Sequence, residues 1–442
     1  YTPLHHLLFA ADAPAVLVMT SANRSSEPIA YRDDEALERL AEIADAFLVG
    51  ERPIARRIDD SVVRVGASGP MVLRRARGYA PGAVARIPAA GPILAVGADL
   101  KNAITLVVSG EAFVSQHIGD LDHYEAYAAF QETIRDLTSM YEVDWAALRV
   151  VYDLHPQYAS TSYALTLPGK HKQGIQHHRA HVASVLAERG AFDRRVLGVA
   201  FDGTGYGDDG TIWGGEFFAG SVAEGLRRVG HLRAAALPGG DAAARYPVQA
   251  AAGFLAELDG LPDLTAPPFL FPKRYARARQ LLDAGVRTFR TTSAGRLFDT
   301  VAAVLGFVRE ITFEGQAAIW LEQLARSTSP VEPYPASFAG GELDSRPLLL
   351  AAIENRAKGR DPAAIARAFH RGLARAMSDA VITLCEQERV DVVVLSGGVF
   401  QNELLLSDIA TCLAPSKIDI WNNREVPPND GGISLGQAAL AG

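Results

Sequence analysis

VLGVAFDGTGYG, at residues 196–207, is an apolar run of strand length that leads into a turn with one acid and three glycines. A second such segment, GADLKN at residues 97–102, follows the apolar run at residues 93–96. Glycines in such turns let backbone N–H groups approach a bound anion closely, because glycine has no side chain. Two α/β halves that both begin in this way predict a duplicated nucleotide-binding α/β fold.

Strand-like runs and helical spacing alternate around these two segments. The spacing predicts strands at 103–109, 112–118, 149–153, 390–395 and 417–421, and helices at 124–141, 159–167, 362–388, from His177, from Gln401 and from Gly432. Residues 250–326 show helical spacing and no convincing strand, including helices at 294–305 and 313–324. The sequence therefore predicts a helical insertion between two α/β segments.

Residues 1–88 form a separate compositional block that ends in a stretch punctuated by Gly and Pro. The block predicts strands at 15–19, 46–49 and 61–65 and an acidic helix at 33–44. About 88 residues make a thin core, and Tyr1 opens the chain in the middle of a pattern. We therefore expect a fragment of a longer protein, with the tail half of one domain at 1–88 and a second domain at 89–442.

Composition excludes several classes of protein. The chain has 442 residues, of which 48% are hydrophobic and 21% charged, which is too apolar for disorder. Its net charge of −8 and short basic runs argue against a nucleic-acid partner, and no apolar run approaches the length of a membrane span. Two cysteines, Cys385 and Cys412, cannot build a disulfide framework, so a reducing cytoplasm fits best.

The strongest chemical signal is QHHRAH at residues 176–181. His177 and His181 are four residues apart, so they share one helical face and are able to bind one metal ion together. His178 lies about 100° round the helix and is not expected to be a ligand. Asp202 and Asp430 are candidate carboxylate ligands beside glycines. The alternatives are solvated histidines, a turn-forming Asp202 and an N-cap Asp430.

Further polar and glycine-rich loops are candidate nucleotide contacts. The segment after the strand at 390–395 holds Gly397, Gly398 and Asn402, and opens a helix whose N-terminus attracts negative charge. Gly295 and Asp299 are four residues apart on a predicted helix, so a nucleotide ribose would rest on Gly295 and be held by the Asp299 carboxylate. A surface aspartate is the simpler interpretation. Thr20, Ser21 and Asn23 follow a predicted strand, where a Ser/Asn turn is the alternative.

Several of these motifs resemble known families. The segment at residues 20–28 resembles the Ser-Ala-Asn signature of YrdC-like domains. His177-x-x-x-His181, Gly295-x-x-x-Asp299, Gly397-Gly398-Val399-x-x-Asn402 and Asn429-Asp430-Gly431-Gly432 are similar to motifs of the TsaD-like branch of the actin-like ATPase superfamily. Their order, with the segments at 74–81 and 237–241, resembles the hydrogenase-maturation carbamoyltransferases of the HypF family.

The resemblance implies a role for each candidate residue. It implies metal ligands at His177, His181, Asp202 and Asp430; the metal would be iron or zinc, with Mg²⁺ as a further candidate. It implies nucleotide and phosphate contacts at Ser21, Asn23, Lys101, Asn102, Gly203, Thr204, Gly205, Gly295, Asp299, Gly397, Gly398 and Asn402. Lys101 is also a candidate catalytic residue, together with Arg245 as an anion contact.

The resemblance also implies a reaction and a partner. Family members convert ATP and carbamoyl phosphate to carbamoyl adenylate, then transfer the carbamoyl group to the C-terminal cysteine of a HypE-type maturation protein. Because neither Cys385 nor Cys412 sits in an electropositive turn, the thiol is expected to come from that partner. The family's acylphosphatase-like and zinc-finger regions have no counterpart in this chain, nor does the front half of the YrdC-like domain.

Three other functions are compatible with such a fold. An O-carbamoyltransferase that acts on a small-molecule hydroxyl has the same metal ligands, but its two domains come in the opposite order. A tRNA threonylcarbamoyl transferase fits poorly with the net charge and with the YrdC-like segment. A non-catalytic, nucleotide-gated module would not need the histidine-rich helix start.

Overall fold

The computed structural model describes residues 3–9, 14–24, 27–66 and 69–442. The chain divides into two compact units, residues 1–59 and residues 60–442. The division of the chain into domains near residue 88 remains a prediction. Among the described residues, no helix has both the length and the apolar character needed to cross a bilayer.

The first unit contains two described helices, α1 (Pro3–Leu8) and α2 (Asp33–Leu40). Arg39 on α2 pairs with Glu27 at 2.5 Å and with Glu35 one turn earlier. The strands predicted at 15–19 and 46–49 are wrong: the described residues there form no ladder, and Val18 is 93% exposed. An apolar run becomes a strand only when a neighbouring strand accepts its hydrogen bonds, and the described part of this unit offers none.

The second unit is built from β-strands and helices throughout. Its strands are β1 (Val62–Gly66), β2 (Gly69–Arg74), β3 (Ala83–Arg86), β4 (Ile93–Ala95), β5 (Thr105–Val108), β6 (Glu111–Val114), β7 (Arg149–Asp153), β8 (His171–Ile175), β9 (Val196–Tyr206), β10 (Ile212–Ser221), β11 (Gly225–Leu232), β12 (Ala235–Pro238), β13 (Thr288–Thr291), β14 (Ser337–Ala339), β15 (Glu342–Asp344), β16 (Val392–Ser396) and β17 (Asp419–Asn422).

Its helices are α3 (Tyr124–Met140), α4 (Ala159–Thr166), α5 (His177–Glu188), α6 (Asp241–Arg245), α7 (Pro247–Phe254), α8 (Lys273–Asp283), α9 (Ala294–Val304), α10 (Gln316–Arg326), α11 (Arg346–Ala357), α12 (Pro362–Glu388), α13 (Glu403–Leu413) and α14 (Ile433–Ala441). Two 3₁₀ turns lie at Gly398–Gln401 and Asp430–Gly432.

The two large sheets repeat one pattern. One contains the order β6-β5-β4-β7-β8 and the other the order β11-β10-β9-β16-β17. In each, an antiparallel meander is followed by two strands parallel to its first strand. The sheets therefore show the duplication that the two acid-and-glycine segments predict.

A strand and a helix in the second half of the chain differ from the sequence prediction. The helical insertion contains a strand, β13, which pairs antiparallel with β12 and touches β10 at Thr291. Its four residues are too few to show a period of two, so only the pairing reveals it. The predicted helix from Gln401 begins instead at Glu403, after the 3₁₀ turn at residues 398–401.

Parallel strands bring the candidate residues to common edges. The carboxyl ends of β4, β7 and β8 lead to the segment at 97–102, to Asp153 and to His177. In the other sheet β9 carries Asp202, and β16, which runs parallel to it, ends just before Gly397. Helix α14 packs against α5, β4 and β7. Loops at the ends of parallel strands are where α/β folds place ligand sites.

Candidate metal and nucleotide site

Two histidines lie one turn apart at the start of α5. Gln176 caps this helix by accepting a hydrogen bond from the N–H of Arg179. The Nε2 atoms of His177 and His181 each lie 3.3 Å from Asp202 Oδ2 and 3.7 Å from Asp430 Oδ1. One ligand atom from each of these four buried residues lies within 4.8 Å of the others. The structure thus brings together all four predicted ligands, which we call the four-residue cluster, and the histidines are not solvated.

Asp202 does not sit in a turn. Strand β9 continues to Tyr206, but its pairing with β10 shifts register, so that residues 202–204 lie opposite Gly214 alone. Extra residues on one strand form a bulge, which re-aims side chains and is common beside active sites. The prediction of a glycine turn at 202–207 is therefore wrong for its first five residues: the bulge, and not a turn, presents Asp202 to the histidines.

Asp430 begins the 3₁₀ turn that precedes α14. The N-cap of this turn is Asn429, whose side chain accepts a hydrogen bond from the N–H of Gly431 at 3.0 Å. Asn429, and not Asp430, therefore caps this turn, so the alternative interpretation of Asp430 as an N-cap is wrong. The Asp430 carboxylate is directed to the histidines instead.

A fifth residue, Asp153, supports the cluster and was not predicted. It ends β7, is fully buried, and its Oδ2 lies 2.8 Å from His177 Nδ1. A carboxylate on Nδ1 fixes the tautomer of the imidazole and leaves the Nε2 lone pair free for a metal. An acidic residue at the end of a predicted strand was the available signal, but only the fold shows which strand end faces His177.

Burial and charge shift the pKa values of the cluster strongly. Burial raises the pKa of Asp430 to about 6, with the charge of Asp202 adding to the effect. Burial lowers the pKa of His177, but the carboxylates of Asp153 and Asp430 outweigh it and hold that pKa well above its usual value. Hydrogen bonds to both histidines outweigh burial at Asp202 and hold its pKa well below the usual range. Three carboxylates around two imidazoles favour a bound positive charge, and a divalent cation suits this donor set.

A cavity of about 450 Å³ opens beside the cluster and shares Asp202 with it. We call it the nucleotide cavity. Its predicted lining residues are Lys101, Asp202, Gly203, Gly295, Asp299, Gly398 and Asn402. Unpredicted lining residues include Arg64, Arg296, Glu314 and Glu322.

The contact between α9 and β9 forms one wall of the cavity. A side-chain carbon on Gly295 would lie 2.9 Å from Gly203 Cα, so only glycine allows α9 to begin this close to the strand. Asp299 is 3% exposed, and burial raises its pKa. The interpretation of Asp299 as a surface aspartate is therefore wrong, because its helix is covered on both sides.

Lys101 and Asn102, in the segment after β4, lie in different environments. Lys101 lines the cavity and pairs with Glu314. Asn102 is fully buried and does not line the cavity; its Nδ2 donates to the carbonyl oxygens of Val96 and Ala98. The amide of Asn102 thus holds its own turn closed.

The three predicted contact residues after β16, which are Gly397, Gly398 and Asn402, also differ in what they contact. Gly397 has a φ of 103° and packs on β9, where a side-chain carbon would lie 2.3 Å from Phe201 O. The N–H of Gly398 donates to Asp202 Oδ1 at 3.0 Å, which links the loop to the cluster. Asn402 lines the cavity, but its Oδ1 caps α13 and its Nδ2 donates to His370 Nε2.

The remaining predicted residues lie outside the cavity lining. Gly205 packs under the rings of His177 and His178, and Thr204 is half-buried in β9. Arg245 is exposed at the end of α6. His178 is buried and is not one of the four ligands.

Ser21 and Asn23 belong to the first unit. The Ser21 hydroxyl donates to Asn23 Oδ1, and Asn23 Nδ2 donates to the Arg24 carbonyl at 2.8 Å. These local bonds are typical of a polar turn. Ser25 and Ser26, from the same motif, lie outside the described residues.

Three family models match the chain. The model described as "Carbamoyltransferase, Kae1-like Domain, second subdomain" matches residues 198–437, and the model described as "HypF Kae1-like domain" matches residues 88–188. The Sua5/YciO/YrdC model, described as "Telomere recombination", matches residues 1–76.

Curated relatives carry the same family name. Proteins named "Carbamoyltransferase HypF" from Synechocystis and Rhodobacter capsulatus are 40% and 41% identical over 99% and 100% of this chain. The matches cover 58% and 59% of those relatives, so the chain spans well under two thirds of their length. A "Carbamoyltransferase HypF homolog" from Cupriavidus necator is 35% identical over 79% of this chain and 91% of its own length.

Two solved structures are similar throughout. A structure of full-length HypF in a phosphate- and nucleotide-bound form matches all of this chain and 69% of its own, with a TM-score of 0.91 at 36% identity. The structure of T. kodakarensis HypF matches 96% of this chain and 56% of its own, with a TM-score of 0.88 at 32% identity. These similarities confirm the predicted α/β fold, with a YrdC-like part before a Kae1-like part, and the chain belongs to the HypF carbamoyltransferase family.

Proposed function

We propose that this chain carries the carbamoyl-transfer site of an ATP-dependent, AMP-forming carbamoyltransferase. Its substrates are ATP and carbamoyl phosphate, and carbamoyl adenylate is the intermediate. The acceptor is the C-terminal cysteine of a HypE-type protein in NiFe hydrogenase maturation, where the carbamoyl group becomes a cyanide ligand. The observation that carries the proposal is the junction of the four-residue cluster with the nucleotide cavity.

Asp202 makes that junction. Its Oδ2 faces the two histidines, while its Oδ1 accepts the N–H of Gly398 in the cavity wall. A cavity of about 450 Å³ is in the usual range for small-molecule sites. The phosphate- and nucleotide-bound form of a similar HypF supports a nucleotide as the occupant. Phosphate groups held here would lie next to the cluster.

The cluster suits one divalent ion. His177, His181, Asp202 and Asp430 would hold it, with Asp153 orienting His177. Imidazole with carboxylate is compatible with iron and with zinc, and Mg²⁺ is a further candidate at the phosphates. When bound, the ion supplies positive charge that stabilises the negative charge developing on the phosphate and carbonyl oxygens.

The acceptor thiol comes from outside the chain. Burial raises the pKa of Cys385 to about 12 and also raises that of Cys412, so neither supplies a thiolate near neutral pH. The partner's sulfur attacks the carbamoyl carbon, a C–S bond forms, the C–O bond to the phosphate breaks, and AMP leaves. The thiol proton is lost to solvent. The unpaired cysteines fit a reducing compartment, and we place the reaction in the cytoplasm.

The nucleotide product tests the proposal. We would build a chimaera in which this chain replaces the matching 58% of the Synechocystis relative, with that relative as the positive control. With ATP, the chimaera should release AMP and pyrophosphate only when carbamoyl phosphate is present. ADP as the only product would mean a kinase or a gated ATPase, and the proposal would fail.

A further inference from the structure

Arg296 is a buried cation with unused hydrogen-bond donors. It lies in the first turn of α9 and is 6% exposed. Its Nε and Nη1 atoms are buried and have no hydrogen-bond partner. Asp299 Oδ2 is 3.1 Å from Nε, but it too makes no hydrogen bond, so the contact balances charge without satisfying the donors.

The other cations of the cavity are already paired. Arg64 donates to the carboxylate of Glu322 and to the carbonyl of Gln401. Lys101 pairs with Glu314. A buried guanidinium with unmet donors is costly. The donors of Arg296 border the nucleotide cavity, so a ligand in that cavity would complete them.

The position of Arg296 identifies that ligand. A side-chain carbon on Gly203 would be 3.8 Å from Arg296 Nη2, so the guanidinium lies beside the residue that follows Asp202. On its other side is Asp299, the predicted ribose contact. The guanidinium therefore lies between the four-residue cluster and the ribose position, where the first phosphate of a nucleotide belongs.

We infer that Arg296 binds the α-phosphate of the nucleotide in this cavity. The inference rests on the proposed function and deepens it, because it names the group that holds the phosphate shared by ATP, carbamoyl adenylate and AMP. A guanidinium suits this role, since its planar donors match phosphate oxygens and its charge does not titrate.

The alternative is that Arg296 acts only on Asp299, holding that carboxylate in place for the ribose. The two roles separate when AMP is compared with adenosine, because adenosine has the ribose but no phosphate. We would measure both dissociation constants by titration calorimetry for the unmodified chain, Arg296→Gln, Arg296→Lys, Asp299→Asn and Arg189→Gln.

Loss of a charge-assisted contact predicts about 10- to 100-fold weaker AMP binding in Arg296→Gln, with adenosine changed less than about 3-fold. Arg296→Lys should keep part of the preference for AMP. Asp299→Asn should weaken both ligands equally. Arg189→Gln should leave the ratio unchanged, because Arg189 also has a buried Nε without a hydrogen-bond partner but does not line the cavity.

Equal weakening of AMP and adenosine in the Arg296 variants would overturn the inference. If Arg296→Gln does not fold, as judged by circular dichroism, the Arg296→Lys ratio decides by the same criterion. Failure of the unmodified chain to bind either ligand would instead remove the nucleotide assignment, and the proposed function with it. Binding of AMP that Arg296 does not affect contradicts the inference alone.

Discussion

The four-residue cluster and the nucleotide cavity share Asp202 but treat their charges differently. In the cluster the Nε2 atom of each imidazole faces the carboxylates of Asp202 and Asp430, and Asp153 pairs with Nδ1 of His177. In the cavity the guanidinium of Arg296 has donors without acceptors. Protein contacts thus orient His177 within the cluster, whereas we infer that a bound nucleotide completes the cavity.

This contrast indicates how substitutions in each region should act. Residues of the cluster constrain one another, so loss of any one leaves buried charge on the rest and should remove the metal binding that we propose. Cavity residues are coupled mainly through a ligand, so their substitution should change affinity for particular parts of that ligand. Variants that act on one region alone would test whether this division holds.

Removal of a cluster ligand should have the largest effect. His177→Ala removes one of four donors, and Asp430→Asn replaces an anionic donor by a neutral one. Both unbalance the remaining charges, so we expect metal affinity and carbamoyl transfer to fall by more than about 100-fold. Metal content by plasma mass spectrometry and thiocarbamate formation on the acceptor are the measurements. His178→Gln, a buried neighbour outside the four ligands, is the control. Unchanged metal content in both ligand variants would sink the assignment.

Asp153→Asn should have the next largest effect. The amide keeps the size of the side chain but removes the negative charge behind His177, so we expect metal affinity to fall about 10- to 100-fold. Competition with a chromophoric chelator measures this change. Asp99→Asn is the matched control, since Asp99 accepts from the N–H groups of Ala159 and Ser160 at the start of α4 and does not contact the cluster. Equal losses in the two variants would mean that Asp153 acts only through stability.

The sequence predicted the parts of the fold that rest on long, regular patterns. Helix α12 has the predicted bounds, because 27 residues of helical spacing and the N-cap Asp361 determine where the helix begins and ends. The strands predicted at 15–19 and 46–49 failed, and β13 was missed, because pairing decides a short strand. The bulge at 202–204 was equally invisible, since a register shift depends on both strands.

The candidate site could be predicted from the sequence where the residue type and spacing by themselves indicate a function, as they do for metal ligands. Two histidines at helical spacing and acids beside glycines gave the four-residue cluster. Asp153 and Arg296 were missed because an acid at the end of a strand and an arginine on a helix usually face solvent. Asn102 is buried outside the cavity, with its amide in its own turn, which shows that a polar residue in the right motif can serve the loop itself.

Gly295→Ala should affect the cavity and spare the cluster. The added methyl group would be 2.9 Å from Gly203 Cα and 3.3 Å from Asp202 O, so α9 must move away from β9. We expect AMP to bind about 10-fold more weakly, because Asp299 and Arg296 move with the helix. Calorimetric titration with AMP tests this, together with metal content, which should stay within about 2-fold. Gly91→Ala is the control, because a side-chain carbon there would make an ordinary 3.8 Å contact with Ala147 O. Unchanged AMP affinity would mean that this wall of the cavity is not tightly packed around the nucleotide.

The smallest predicted effect concerns His370, which holds Asn402 at the edge of the cavity. Its Nδ1 donates to Ala366 O at 2.8 Å and its Nε2 accepts from Asn402 at 3.0 Å, so the folded protein uses the neutral ring. Burial lowers the pKa of His370 to about 4, below the usual value of about 6.5 in the unfolded chain. The stabilisation is therefore complete above about pH 6.5 and is lost as the pH falls toward 4, because the unfolded chain then binds a proton that the folded chain excludes. Between about pH 7 and 5.5 this amounts to about 1 kcal/mol of unfolding free energy.

Urea unfolding of the unmodified chain and of His370→Gln at both pH values isolates the contribution of His370, since every other titrating group is common to both proteins. Identical pH dependence in the two proteins would show that His370 has the same pKa in the folded and unfolded chain, so that Asn402 would lose this acceptor at pH 5.5.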